Sequence, residues 1–421
     1  MTFFYLILAI LIVDFLLERV LEYLNTTRWS DILPKELKGI YEEERYRKSQ
    51  RYLKKKQHFS WVTDSIAFVA MVVILCLGGF VWLDDLLRRI SEDPILLALL
   101  FFGTIGFVSS LVMTPFELYA TFVIEEKFGF NTTTIKTFIL DKLKGWLLGV
   151  LIGGGILALI IWIYTTTGNY FWLIVWGVIT LFMIFMSMFY SNLIVPLFNK
   201  QKPLDSGELR DAIESFANKV GFRLKNIYVI DGSKRSTKAN AYFTGLGGKK
   251  RIVLYDTLIR DHTTEELVGV LAHEIGHYKK RHTLQGIILS ILQTGLMLFI
   301  LSLFIRKDSA LSASLCQALS GFSGLQAIPG FHLGILAFGM LYSPLSFILG
   351  ILESMLSRTN EFTADRFAGI NYNPVSLQNA LKKLSVNQLS NLRPHPLYVF
   401  FHYSHPPLLS RLKALAEINK K

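Results

Sequence analysis

Three residues within a run of five carry the most specific chemistry in this chain. His273 and His277 stand four apart in LAHEIGHYKKRH (271–282), and Glu274 lies between them. On a helix, positions i and i+4 project from one face about a turn apart, near enough for two imidazoles to share an ion. Glu274 neighbours the first imidazole, where a carboxylate can reach a metal-bound water. This is the H-E-x-x-H arrangement with which zinc-dependent hydrolases activate water. Zinc lowers the pKa of bound water to about 7 and polarises the carbonyl under attack.

So short a motif gains weight only with a third ligand, because a catalytic zinc takes three protein ligands and keeps one position open. The candidate is Glu361 in SRTNEFTADRFA, 84 residues beyond His277. Asp365 follows it by one helical turn and could orient a ligand imidazole through its far nitrogen. On spacing alone, Glu361 reads equally well as a surface carboxylate of a helix.

The elements that must position these residues are set by an apolar composition. Of 421 residues, 52% are hydrophobic and 18% charged, and the mean hydropathy is +0.40. Seven mostly apolar stretches are long enough to cross a bilayer as helices, at about 3–24, 61–83, 95–116, 146–165, 171–195, 286–305 and 330–355. The fold class expected is a polytopic α-helical membrane protein. The first stretch lacks a basic n-region and a small-x-small cleavage site, so it reads as a retained span. Cys76 in a span and Cys316 in a short loop offer neither a disulfide framework nor a thiolate metal site. The net charge of +12 calls for no nucleic acid, since cytoplasmic loops of a membrane protein are basic anyway.

Basic and poor loops alternate without a break. Residues 25–60 hold ten Lys/Arg, 117–145 four, 196–285 sixteen and the tail after 356 nine, whereas the three intervening loops hold two, none and two. The amino terminus is therefore expected outside, and the H-E-x-x-H segment on the cytoplasmic side.

Four regions follow: membrane spans one to five with their loops (1–197), a metalloprotease segment (198–285), spans six and seven (286–356) and a C-terminal catalytic segment (357–421). In the second, DSGELRDAIESFANKVGF reads as a helix. NIYVID, ANAYFTG and RIVLYD read as strands, the last two forming a hairpin at Gly247-Gly248, and a helix starts near Thr264. His277 precedes the sixth span by nine residues, roughly 13 Å of helix, and Glu361 follows the seventh by six, roughly 9 Å. Both segments are thus tethered at the cytoplasmic membrane boundary.

Six stretches resemble the integral-membrane zinc CAAX prenyl protease type 1 family: PFELYATFVIEEKFGFN (115–131), VPLFNK (195–200), DGSKRSTKANAYFTG (231–245), LAHEIGHYKKRH (271–282), EFTADRFA (361–368) and SHPPLLSRLKAL (404–415). The resemblance implies a seven-helix barrel around a hydrated chamber, with a small α+β metalloprotease domain on the cytoplasmic side. It implies one Zn²⁺ held by His273, His277 and Glu361, with Glu274 as general base and Asp365 behind the ligands. His405 and Arg411 would face the active site and stabilise the transition state, and Asn240 and Ala241 would lie on an edge strand that pairs with substrate. The expected partners are a prenylated or membrane-associated peptide and the bilayer. Lys238 stands where the family often shows histidine. The missing longer loops of eukaryotic members imply a compact prokaryotic member, and the membrane expected is a bacterial inner membrane, or an ER-type membrane if the chain is eukaryotic. Ionisable residues within the spans (Asp14, Asp64, Glu117, Glu353) fit either a wet interior or span ends at headgroup depth.

Two other functions fit parts of this pattern. One is a zinc protease for quality control of membrane or translocation-stalled proteins. The other is a transporter or receptor in which the histidines are incidental, but the broken helices and two matching halves usual in transporters are not visible.

Overall fold

The computed structural model describes residues 1–222, 226–244, 251–306 and 309–418. Inside hydrocarbon a backbone has no partner but itself, so each apolar run closes into a helix. The first are α1 (Thr2–Thr26), α2 (Glu43–Cys76), the short α3 (Gly79–Arg88) and α4 (Pro94–Phe128). Next, α5 (Ile135–Leu148) and α6 (Gly155–Thr167) form one pass through a π-helical turn at Gly149–Gly154, and α7 (Phe171–Leu193) follows a turn at Gly168. After the polar segment come α10 (His282–Phe304) and α12 (Phe331–Asn371), separated by α11 (Ala310–Gln317). The described residues thus contain seven membrane-length passes.

Two boundaries differ from expectation. The second pass stops at Cys76, because the 318–323 loop closes over it. Phe322 N donates to Cys76 O at 2.8 Å, and Gly321 lies so close to the carbonyls of Leu75 and Cys76 that no Cβ would fit. Cys316 sits in α11 rather than in a loop, since Ser309 caps that helix by accepting from Leu311 N at 3.2 Å.

In the polar segment β1 (Gln201–Pro203) comes before α8 (Glu208–Lys219), and β2 (Asn226–Ile230), β3 (Ala241–Thr244) and β4 (Arg251–Tyr255) follow it, forming one four-stranded sheet in the order β1-β2-β4-β3. β2 and β4 are parallel; β3 runs antiparallel to β4 with Ala241 opposite Leu254, as a hairpin requires. Gly247 and Gly248 lie outside the described residues. β1, three residues long, carries too little pattern to be read in advance. Helix α9 (Thr264–Lys279) follows, and α13 (Pro374–Asn387), α14 (Pro396–His402) and α15 (Leu408–Ile418) end the chain.

Two large cores hold this assembly, beside two small clusters around Tyr46 and Phe128. One gathers Phe4, Leu75, Phe101, Ile163, Phe171, Leu301 and Phe338, which come from the same end of all seven passes. The other, built on Ile252, Leu254, Leu271, Ile275, Ala368 and Leu415, joins sheet, α9, α12 and α15 at the opposite end. Only 6–22% of the residues in the apolar windows of the five most apolar long helices are buried.

The ionisable residues of the spans are mostly paired. Arg19 Nη2 reaches Asp64 Oδ2 at 2.8 Å, Lys142 Nζ reaches Glu117 at 2.5 Å, and Ser343 donates to Asp14 at 2.9 Å. Glu353 instead lines the interior cavity.

Candidate metal centre

Helix α9 is fixed at its start by a reciprocal cap. Thr263 Oγ1 accepts from Glu266 N, and Glu266 Oε2 accepts from Thr263 N at 3.0 Å. The buried face of the helix then carries His273 and His277, whose Nε2 atoms lie 3.1 Å apart.

α12 crosses this helix at a contact made possible by the motif's glycine. A Cβ on Gly276 would stand 3.1 Å from Ala364 O and 3.2 Å from Ala364 Cα. Two small residues let the helices approach, and Glu361, one turn before Ala364, comes to 3.1 Å from His277 Nε2 through Oε1 and 3.5 Å from His273 Nε2 through Oε2. Ligand atoms of His273, His277 and Glu361 all fall within 4.8 Å of one another.

Behind them Asp365 accepts from both sides. Its Oδ1 is 2.9 Å from His273 Nδ1, and Arg411 grips it with Nε at 2.8 Å and Nη2 at 2.6 Å. Burial disfavours a charged His273, but the hydrogen bonds to Asp365 and Glu361 outweigh it, so the imidazole is held up at about 9. Arg411 Nη1 also lies 3.2 Å from Glu361 Oε2, and His405 Nε2 lies 3.4 Å from Glu361 Oε1. Glu274 is only half-buried by surface area, yet the protein around it desolvates its carboxyl and raises its pKa.

One member of the cluster carried no signal in the sequence. The run from His277 to the sixth pass was read as continuous helix, but α9 ends at Lys279 and the chain reverses at Arg281 (φ 60°). That reversal brings His282 back, with its Nδ1 3.0 Å from His277 Nδ1 and its Nε2 3.1 Å from Thr363 Oγ1, which donates to Asn360 O at 2.9 Å.

The donor set suits a divalent metal: two imidazole nitrogens and a carboxylate converge, and Glu361 Oε2 is a buried oxygen with no aligned hydrogen-bond donor. The three open onto a cavity of about 900 Å³, whose wall includes Glu274, Asn240, Ala241, His405 and Arg411. It continues between α10 and α12 past Leu289, Ser290, Glu353 and Leu356. Of the expected site residues only Asp365 stands behind the wall, 1% exposed.

Residues 22–200 match the CAAX prenyl protease N-terminal model, described as five membrane helices, and residues 203–419 match peptidase family M48. The chain is 36% identical to the CAAX prenyl protease 1 homolog of Arabidopsis thaliana, over 99% of this chain and 98% of that protein. The chain belongs to the CAAX prenyl protease 1 family of M48 metalloproteases. CAAX prenyl protease 1 of Saccharomyces cerevisiae is 36% identical, covering 97% and 94% of the two chains, and the human homolog is 32% identical, covering 91% and 88%. The crystal structure of S. mikatae Ste24p superposes with a TM-score of 0.89, at 35% identity and 99% coverage of both chains.

The family's membrane metalloprotease architecture accounts for both cores and the interior between them. Lys238 does not line the cavity. Its Nζ bonds Glu125 Oε2 at 2.7 Å and Tyr52 OH at 3.0 Å and lies 4.4 Å from the Phe130 ring centre, tying the approach to β3 to α2 and α4. β3 is an edge strand, and Asn240, just before it, accepts from Tyr255 N at 3.0 Å.

Proposed function

We propose that this protein is a zinc endopeptidase that removes the C-terminal tripeptide from prenylated CaaX-type chains. The observation that carries this reading is the His273–His277–Glu361 cluster opening on a cavity that runs between two spanning helices. A lipidated substrate already resides in the bilayer, and its scissile bond lies near the headgroups, beside such a cavity.

His273, His277 and Glu361 would hold one Zn²⁺, which supplies Lewis acidity and an activated water. Glu274 takes the proton from the attacking water and passes it to the leaving amine. Arg411 and His405 offer positive charge and a donor to the oxygen that becomes anionic in the transition state. Asp365 accepts from His273 Nδ1, which leaves Nε2 unprotonated for the metal. Along β3 the open edge, starting at Asn240 and Ala241, pairs with the extended substrate.

Residues 1–197 and 286–356 then supply the membrane chamber, and 198–285 with 357–421 the catalytic part. The basic loops favour the cytoplasmic side for that part, at a bacterial inner membrane or an ER-type membrane.

The test is purified protein incubated with a farnesylated CaaX peptide and its unprenylated twin, followed by mass spectrometry. Cleavage after the modified cysteine is expected. The farnesyl chain is remote from the reacting carbonyl, so it should lower KM more than it raises kcat. Equal KM for the two peptides would favour protein quality control instead.

A further inference from the structure

A second site lies outside the protease cavity, on the same side of the molecule. A hollow of about 460 Å³ is lined by Lys48, Arg51, Lys54, Lys55 and His58 of α2, by Lys127 at the end of α4, and by Phe128. Lys48, Arg51, Lys55 and His58 are spaced by three, four and three residues, which puts them in one stripe along α2. Like charges at this spacing destabilise a helix unless something anionic compensates them.

Among the described residues the protein supplies little compensation. No carboxylate lines the hollow. Lys54 pairs with Asp31 at 3.0 Å, and Lys55 rests over the Tyr119 ring at 5.7 Å, whereas Lys48, Arg51 and Lys127 have no ion-pair partner among the described residues. Four of the five cations are exposed, so they remain available to a ligand.

Depth identifies the ligand's source. The apolar run of α2 begins at Phe59, immediately after His58, and α4 ends at Phe128. From His58 to Lys48 is roughly 15 Å of helix, so the stripe starts at headgroup depth, where α2 leaves the hydrocarbon, and runs outward from there. Phe128 forms a buried apolar floor, and Phe59 stacks on Tyr119 at 5.3 Å just below. A soluble anion has no use for the exposed face of Tyr119 beneath Lys55, but a glycerol backbone and acyl chain do.

We infer that this hollow binds the head group of a phospholipid bearing a phosphomonoester, on the leaflet that faces the metal centre. A doubly charged phosphate with several acceptor oxygens satisfies forked Arg51 and the surrounding ammonium groups together, which a zwitterionic head group cannot. The inference stands apart from the protease reading, because it uses none of the metal-site residues.

The test uses the full chain in phosphatidylcholine nanodiscs with or without phosphatidylinositol 4-phosphate, and counts retained lipid by native mass spectrometry. One phosphoinositide per chain should be held in preference to phosphatidylcholine. The variant K48Q/R51Q/K55Q/K127Q should lose at least about tenfold in affinity, since each basic residue near anionic lipid contributes about a factor of five. A control variant, K202Q/K219Q/K234Q/K413Q, removes as much charge elsewhere and should bind as the parent does. Metal content of both variants reports that the fold is intact. Equal loss in the control variant would reduce the effect to net charge and overturn the site. Displacement of the lipid by millimolar inorganic phosphate would overturn the lipid as its ligand.

Discussion

His282 Nδ1 lies 3.0 Å from His277 Nδ1, so the imidazole five residues beyond the motif orients one within it. Leaving His277 Nε2 free for a metal puts the His277 proton on Nδ1, which donates to His282. The proton of His282 is then on Nε2 and donates to Thr363 Oγ1 at 3.1 Å. H282A breaks this chain. The expected result is about 10–100-fold weaker metal binding, measured by competition with a chelator. Unchanged affinity would show that His277 is held by α9 alone.

E274Q keeps the three converging donors and removes the proton acceptor. Metal content should stay at the parent's level while kcat falls by at least about 10²-fold. Burial raises the Glu274 pKa in the metal-free site, and a bound dication opposes that shift, so E274Q is judged by its rate and its metal content together. A glutamine variant of near-parental rate would falsify the general-base assignment.

Metal-free protein should respond to pH through His273. Its pKa is about 9 in the fold against 6.5 for an ordinary histidine, so the folded state holds the proton more tightly. The resulting stability is fully present below pH 6.5 and is lost as pH rises through about 9. Thermal unfolding of chelator-treated protein should show that loss. Metal-saturated protein should not, since metal has already displaced the proton.

Gly276 sets the distance between α9 and α12. A side chain there meets Ala364 O at 3.1 Å, so G276V must push Glu361 away from His277. Overpacking of this kind costs about 1–3 kcal/mol, and metal affinity should fall with it. Atomic-emission metal counts after dialysis, beside a melting curve, separate the two effects. Parental metal content would mean that Glu361 does not depend on this contact.

Orientation is open to cysteine labelling in a background without Cys76 and Cys316. Cysteines at Glu44 and Lys413 should be shielded from an impermeant reagent in whole cells, and one at Ser314 should react. The opposite pattern would reverse the topology argued from the basic loops.

Helical periodicity, apolar length and the four-residue spacing of His273 and His277 are local properties, so the sequence by itself determined the seven passes and one face of the metal site. It also placed a helix start near Thr264, where the structure shows the Thr263–Glu266 cap. Glu361 was ambiguous on spacing, since a carboxylate 84 residues away becomes a ligand only if two helices cross at the right point. The tertiary structure decided that crossing through the Gly276–Ala364 contact. It likewise decided that His282 returns on His277, through one left-handed residue at Arg281, and that Lys238 faces Glu125 rather than substrate. Each of these depends on where a chain reverses or how closely two elements pack. Such distances are fixed by contacts between residues far apart in sequence, and periodicity carries no record of them.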